Sequence, residues 1–383
     1  MKYSKSIFLA FFILMSSCIY AGPGTYYNSI DTNQSCATLK TLLFNLIASN
    51  TTVIPYGSVD NYYNLTDLKP AESGGGDVIV DRYCSENPFG LDYCNFRYPG
   101  SFCLGVPAGS QCVCYDKEHV FPKSWFGSDI YPMYSDMHFV WPSDNITNGK
   151  KLNYPFGYVQ SASFTSNNGT KVGSSNSSLN YGYTSSQVFE PIDSFKGDFA
   201  RAYLYVVTRY QDSIPFWVGR SISSYILDGN KYPGYKPWIL QLCVKWSKMD
   251  PPSAFERQRN DAVYSLQGNR NPYVDYPNWV EKVFGPNGIP SSCVPLSVRN
   301  NHQIDFSVFP NPSSTVLNIK LPKSLPASAT LEVLDVLGRK VKEYKMDQNS
   351  TLQTIDIRSF SRGMYWVNII YEGENNLSSF SVQ

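Results

Sequence analysis

The sequence predicts an α+β chain: a large, mostly helical, cysteine-containing region followed by a small β-sandwich at the C-terminus. Three observations carry that expectation. Apolar residues recur at helical spacing between Leu39 and Gly268, no cysteine follows Cys293, and short runs of alternating apolar and polar residues begin near residue 305.

The chain opens with Lys2 and Lys5, an apolar run from Ile7 to Met15, and then small residues. That order is expected of a secretory signal peptide, residues 1–21, cut after Ala21. Met15-Ser16-Ser17-Cys18 is a poor imitation of a lipoprotein site and is the alternative. No later run is long and apolar enough to span a bilayer, so the mature protein is expected to be soluble; it is also expected to be a monomer. Eight cysteines then remain: Cys36, Cys84, Cys94, Cys103, Cys112, Cys114, Cys243 and Cys293. An even number in an exported chain favours disulfides, whose pairing a sequence does not reveal. Zinc is the runner-up for Cys84 to Cys114, but the spacing lacks a paired CxxC arrangement.

Charge excludes one class of function. The chain has 32 basic and 31 acidic residues, and removing Lys2 and Lys5 leaves a slight negative excess. A protein that grips nucleic acid by bulk electrostatics is far more basic. Any polyanion must therefore be met by a local patch or a metal ion.

Residues 22–300 form the expected main domain. Leu39, Leu42, Leu43, Leu46 and Ile47 mark one buried helix face, and Phe199, Ala202, Tyr203, Val206 and Tyr210 mark another. Ser253 followed by Glu256 makes a capping box for a helix ending near Gly268. Between residues 158 and 188, Ser, Asn, Gly and Thr dominate, as in a long exposed loop. Residues 305–383 are expected to form the sandwich, with Leu317, Ile319 and Leu321 bracketing Asn318 and Lys320, and a turn at Gly338.

Chemistry concentrates in DKEHVFPKSWFG, residues 116–127, where Glu118 sits beside His119 in a chain of three histidines. Neighbours on a regular strand face opposite ways, so both reach one site only at a strand end or bulge. The bland alternative is a solvated loop. Downstream, residues 134–157 carry His138 and the Asn148-Gly149 pair. An imidazole can accept a proton near neutrality, as hydrolysis of a phosphodiester by water requires. Glu118 and Asn148 offer hard oxygen ligands suited to Mg²⁺ or Ca²⁺.

Five blocks in order resemble the bacterial endonuclease I family: KEHVFPKSWFG (117–127), SDMHFVWPS (135–143), NGKKLNYPFG (148–157), GDFARAYLYVVTRY (197–210) and QGNRNPYVDYP (267–277). The resemblance implies a ββα-metal, or His-Me, finger core in an exported endonuclease that cuts DNA, and often RNA, leaving 5′-phosphate ends. It implies His119 as general base and Glu118 and Asn148 as holders of one divalent ion, with Mg²⁺ expected and Ca²⁺ or Mn²⁺ as alternatives. Lys117, Lys123, Lys151 and Arg270 are its candidate phosphate contacts, and Asp136, His138 and Asn153 its candidate supports behind the site. For His138 a packed core histidine is the competing reading, and for Arg270 a structural hydrogen-bonding role is. Lys117 and Lys151 stand where the family often has arginine, keeping charge but losing bidentate recognition. Phe139 stands where asparagine often follows the second histidine. Lys123, Lys150, Arg257 and Arg259 are candidates for the local basic patch, and the many aromatic residues could stack on bases.

The tail, through FPNP (309–312), LEVLDVLGRKV (331–341) and SRGMYWVNI (361–369), resembles the type A sorting domain of the type IX secretion pathway. It implies release or attachment at the cell surface and the secretion machinery as a partner. The rival function is a surface module that binds nucleic acid or glycan without cutting. A zinc peptidase finds no HExxH motif to support it.

Overall fold

The computed structural model describes residues 22–71, 74–84, 93–103, 109–290, 306–325, 327–335, 339–371 and 374–383. Residues 1–21, Cys293, His302 and the turn at Gly338 lie outside them. Two compact units divide the chain, one ending at Pro295 and the other beginning at Leu296.

The longer helices of the first unit, together with two short ones at the site, are α1 (Cys36–Ala48), α2 (Lys123–Phe126), α3 (Asn145–Lys151), α4 (Lys196–Arg209), α5 (Pro237–Met249) and α6 (Ala254–Gln267). Their apolar faces fall where the spacing put them. α1 buries Leu39, Leu43 and Ile47. α4 is buried on every side and packs against α1 and α5, which makes it the central rod of the unit. Ser253 Oγ accepts the Glu256 amide at 3.1 Å, and Gly268 closes α6 at φ 79°, a left-handed turn suited to glycine. Only half of the capping box forms, because the Glu256 carboxylate turns inward to Arg201, with Nε to Oε1 at 2.7 Å.

That pair belongs to a buried charge network. Arg82 bridges Asp67 at 3.3 Å and Asp198 at 3.0 Å, Arg201 contacts Asp198 at 3.2 Å, and Arg259 grips Asp67 at 2.8 and 3.1 Å. Ions taken out of water need this mutual neutralisation. The network ties α4 and α6 to the segment around Arg82, whose neighbour Tyr83 reaches the candidate site. Arg259 is thereby excluded from the surface basic patch.

Strands β1 (Tyr115–His119) and β2 (Val140–Asp144) form an antiparallel pair in which Glu118 faces Trp141 and His119 faces Val140. The segment expected to be a loop is a meander of β3 (Val159–Thr165), β4 (Lys171–Ser175) and β5 (Gln187–Glu190). Most of β3 is exposed, so polar composition does not oppose strand formation there. Gly173 explains the close pairing: a Cβ on it would lie 2.0 Å from the Ser161 carbonyl oxygen.

Cysteines are partly paired. Cys94–Cys112 and Cys103–Cys114 are disulfides, Cys36 is also oxidised, and Cys84 and Cys243 are buried free thiols. The Cys84, Cys94 and Cys112 sulfurs cluster within 4.8 Å. Two of them are bonded to each other, however, and offer no thiolates for the zinc alternative.

The second unit is a β-sandwich built from β6 (Ser307–Phe309), β7 (Val316–Lys320), β8 (Ala329–Asp335), β9 (Lys340–Met346), β10 (Leu352–Asp356), β11 (Gly363–Tyr371) and β12 (Glu374–Val382). One sheet runs β9-β8-β11-β12 and the other β10-β7-β6. Leu317, Ile319, Leu331, Val333, Val367, Ile369 and Phe380 form its core. Alternation along each strand sends these side chains to one face.

Candidate active site

The local chain order of the site is β1, α2, β2, α3. β1 ends at His119, and both Glu118 and His119 are buried, at 7% and 6% exposure. The two residues are the last of the strand.

His119 Nε2 lies 2.8 Å from the Tyr134 carbonyl oxygen. A carbonyl only accepts, so Nε2 carries the proton and Nδ1 keeps its lone pair. The ring is held by near-parallel Tyr56 and Tyr134, with centroids at 5.4 and 5.5 Å and interplanar angles of 18° and 7°. Burial pulls the imidazole pKa down to about 4, opposed by the bond to Tyr134 and reinforced by Lys123 and Lys151. Near neutrality this histidine is an uncharged proton acceptor.

Glu118 Oε1 accepts the Tyr83 hydroxyl at 3.0 Å and lies 2.9 Å from Lys151 Nζ. The lysine is fully buried and close enough to neutralise the carboxylate, yet it makes no well-aligned hydrogen bond. Burial pushes the Glu118 pKa up, while Lys151 and Tyr83 pull the other way. Both contacts use Oε1, so neither takes Oε2.

α3 begins where β2 ends. Asp144 caps it by accepting the Thr147 amide at 2.7 Å. Asn148 precedes Lys151 by three residues, which places the two on one side of the helix, the side that meets Glu118. The half-buried Asn148 side chain makes no hydrogen bond among the described residues. A buried carboxylate and, on the neighbouring helix, an amide with no hydrogen bond among the described residues are the hard oxygen donors that suit a divalent cation.

The other sequence candidates divide. Lys117 is largely covered, at 2.7 Å from Asp60, and lies over the Tyr56 ring. Lys123, at the start of α2, is 47% exposed and pairs with Asp129. Lys150 is exposed, whereas Arg257 donates to the Val274 carbonyl oxygen. Arg270 is corrected from a phosphate contact to a structural residue: it is 2% exposed, with Nε 2.7 Å from Asp275 and its other arm on Asp261. Asp136 is a buried hub that accepts the Tyr205 and Tyr210 hydroxyls at 2.8 Å each and Gln267 at 3.0 Å. His138 is a core histidine, 3.0 Å from the Asn269 carbonyl oxygen. Asn153 is exposed and makes no side-chain hydrogen bond among the described residues, so it supports nothing behind the site.

Sequence reasoning missed Tyr83 and Tyr134. Tyr134 acts through a backbone carbonyl, which no residue type announces. The Tyr83 hydroxyl arrives from 35 residues upstream.

Residues 35–278 match the Endonuclease I family, and residues 307–383 match the secretion system C-terminal sorting domain. Among curated relatives, the extracellular ribonuclease of Bacillus amyloliquefaciens is 27% identical over 68% of this chain and 78% of its own length. That of Bacillus subtilis is 27% identical over 69% and 80%. The extracellular deoxyribonuclease of Aeromonas hydrophila is 26% identical over 41% and 64%. A solved immunoglobulin-like β-sandwich protein of Bacteroides vulgatus covers 22% of this chain and 88% of its own at 23% identity, with a TM-score of 0.19, too low to carry an argument. No helix among the described residues is long and apolar enough to cross a membrane. With its family match spanning most of the first unit and a sorting domain at its end, this secreted chain belongs to the Endonuclease I family of nucleases.

Proposed function

We propose that this chain hydrolyses phosphodiester bonds of DNA and RNA with little sequence preference, leaving 5′-phosphate ends, with His119 as general base and one divalent ion held by Glu118 and Asn148. The carrying observation is the 2.8 Å contact from His119 Nε2 to the Tyr134 carbonyl, which leaves Nδ1 as the acceptor. Nδ1 takes a proton from water as its oxygen attacks phosphorus, and the bond to the 3′ oxygen breaks. Tyr56 and Tyr134 hold the imidazole plane, so little reorganisation is needed as the proton moves.

Mg²⁺ is the proposed ion, with Ca²⁺ or Mn²⁺ as alternatives. Bound there, it would supply neutralisation of the charge that develops on the phosphate and leaving oxygen. Tyr83 and Lys151 orient the Glu118 carboxylate, while exposed Lys123 and Lys150 supply the local positive charge that the balanced composition otherwise lacks. Relatives named for ribonuclease and for deoxyribonuclease activity support both polymers as substrates.

Nicking of a supercoiled plasmid and breakdown of a structureless RNA, each with Mg²⁺ and with excess chelator, test the proposal. Cleavage that chelator abolishes is the expected result. Absence of cleavage with Mg²⁺, Mn²⁺ and Ca²⁺ would sink it and favour a binding module on the same scaffold.

A further inference from the structure

The rings beside His119 continue outward to the surface. Tyr134 stacks on Tyr56 at 4.1 Å between centroids and 23° between planes. Tyr131 then meets Tyr134 edge-on, at 5.5 Å and 79°. Tyr131 is 47% exposed, yet its position is fixed, since its hydroxyl accepts the Tyr56 amide at 3.1 Å. The turn beneath it is closed by the Tyr134 amide on the Ile130 carbonyl at 2.9 Å. Lys123 Nζ lies 5.3 Å from the Tyr134 ring centre, and its side chain is half exposed. Among the described residues, no ring packs flat on Tyr131.

An isolated exposed aromatic residue needs no explanation. This one is different in being anchored, in lying two 5.5 Å ring steps from the imidazole, and in packing on a ring, Tyr134, that a half-exposed lysine paired with Asp129 also approaches. A pre-positioned aromatic face loses little freedom on binding. A nucleobase can use that face only when its own faces are available, which pairing and stacking within a duplex prevent.

We infer that Tyr131, packed edge-on against Tyr134, is a stacking platform for an unpaired base next to the phosphate at His119, and that it biases the enzyme toward single-stranded nucleic acid. The inference rests on the proposed nuclease reading and adds a substrate class to it. Lys123 meets the backbone phosphate of the stacked nucleotide, while the ring accepts any base, in keeping with little sequence preference.

The experiment uses the full chain with saturating Mg²⁺. One oligodeoxynucleotide is presented alone and annealed to its complement, and kcat/KM is measured on both for the parent, Tyr131→Ala and Tyr131→Phe. Tyr131→Ala is expected to lower the ratio of single-strand to duplex efficiency by roughly 5- to 100-fold, mostly through KM, as loss of one base–aromatic stack predicts. Tyr131→Phe, which keeps the ring, retains a ratio near the parental one. An equal loss on both substrates, or an unchanged ratio in Tyr131→Ala, overturns the platform. Fluorescence anisotropy of the labelled single strand is measured on the same proteins in chelator. A parent that cuts neither substrate refutes the nuclease reading, and weaker single-strand binding by Tyr131→Ala would still support the platform, whereas unchanged binding would refute it as well.

Discussion

Lys151 Nζ lies 2.9 Å from Glu118 Oε1, joining the last residue of α3 to the strand that carries the candidate base. Both groups are buried, so each charge depends on the other. Lys151→Met is expected to cost about 3–5 kcal/mol, because it leaves a carboxylate buried without its cation. Adding Glu118→Gln should restore most of that loss. Urea unfolding of the two single variants and the double variant in chelator gives the coupling, and purely additive effects would deny the pair its structural role.

His119→Ala should reduce turnover by about 10²- to 10⁴-fold, the range for loss of a general base. Binding of labelled nucleic acid should remain near parental, while truncating the buried, hydrogen-bonded ring should lower stability by about 1–3 kcal/mol. Parental turnover in this variant would mean that the proton goes elsewhere.

Asn148→Ala should raise the Mg²⁺ concentration for half-maximal activity by about 10- to 100-fold, as when groups supporting a metal site are removed. Stability should change little, since the amide makes no hydrogen bond among the described residues and alanine suits a helix. An unmoved metal titration would place the ligand elsewhere.

Lys40 gives a pH-dependent expectation remote from the chemistry. It is buried on α1, donates to the Lys231 carbonyl oxygen, and burial pulls its pKa down to about 7, against Asp228 and Asp212. Between about 7 and its ordinary value of 10.5, the unfolded chain holds a proton there that the folded chain does not. The parent therefore gains stability as pH rises through that window. Lys40→Met removes this dependence, so its stability relative to the parent should be greatest at pH 6 and decline toward pH 10, offset throughout by about 1 kcal/mol for the lost hydrogen bond. Urea midpoints at several pH values would show it, and a constant difference would contradict it.

Legibility of the sequence depended on where the information resides. Helices such as α1 and α6 could be read because Leu39, Leu43 and Ile47 repeat at the helical period and Ser253 and Gly268 punctuate the ends. The meander escaped because most of β3 is exposed on both faces, so no alternation marks it. Glu118 and His119 stood out as candidates because two reactive side chains adjoin, and both are buried at the end of β1. Arg270 could not be placed correctly, since a guanidinium advertises charge but not that Asp261 and Asp275 will enclose it. The orientation of His119 depends on a main-chain oxygen, which every residue possesses.

The bonds from Cys94 to Cys112 and from Cys103 to Cys114 fasten the segment that leads into β1, and Cys114 immediately precedes Tyr115. Such links are made in oxidising compartments and kept open in the reducing cytoplasm. The stretch entering the strand of Glu118 and His119 is therefore covalently fastened only where the surroundings are oxidising, which matches a chain that carries a secretion sorting domain.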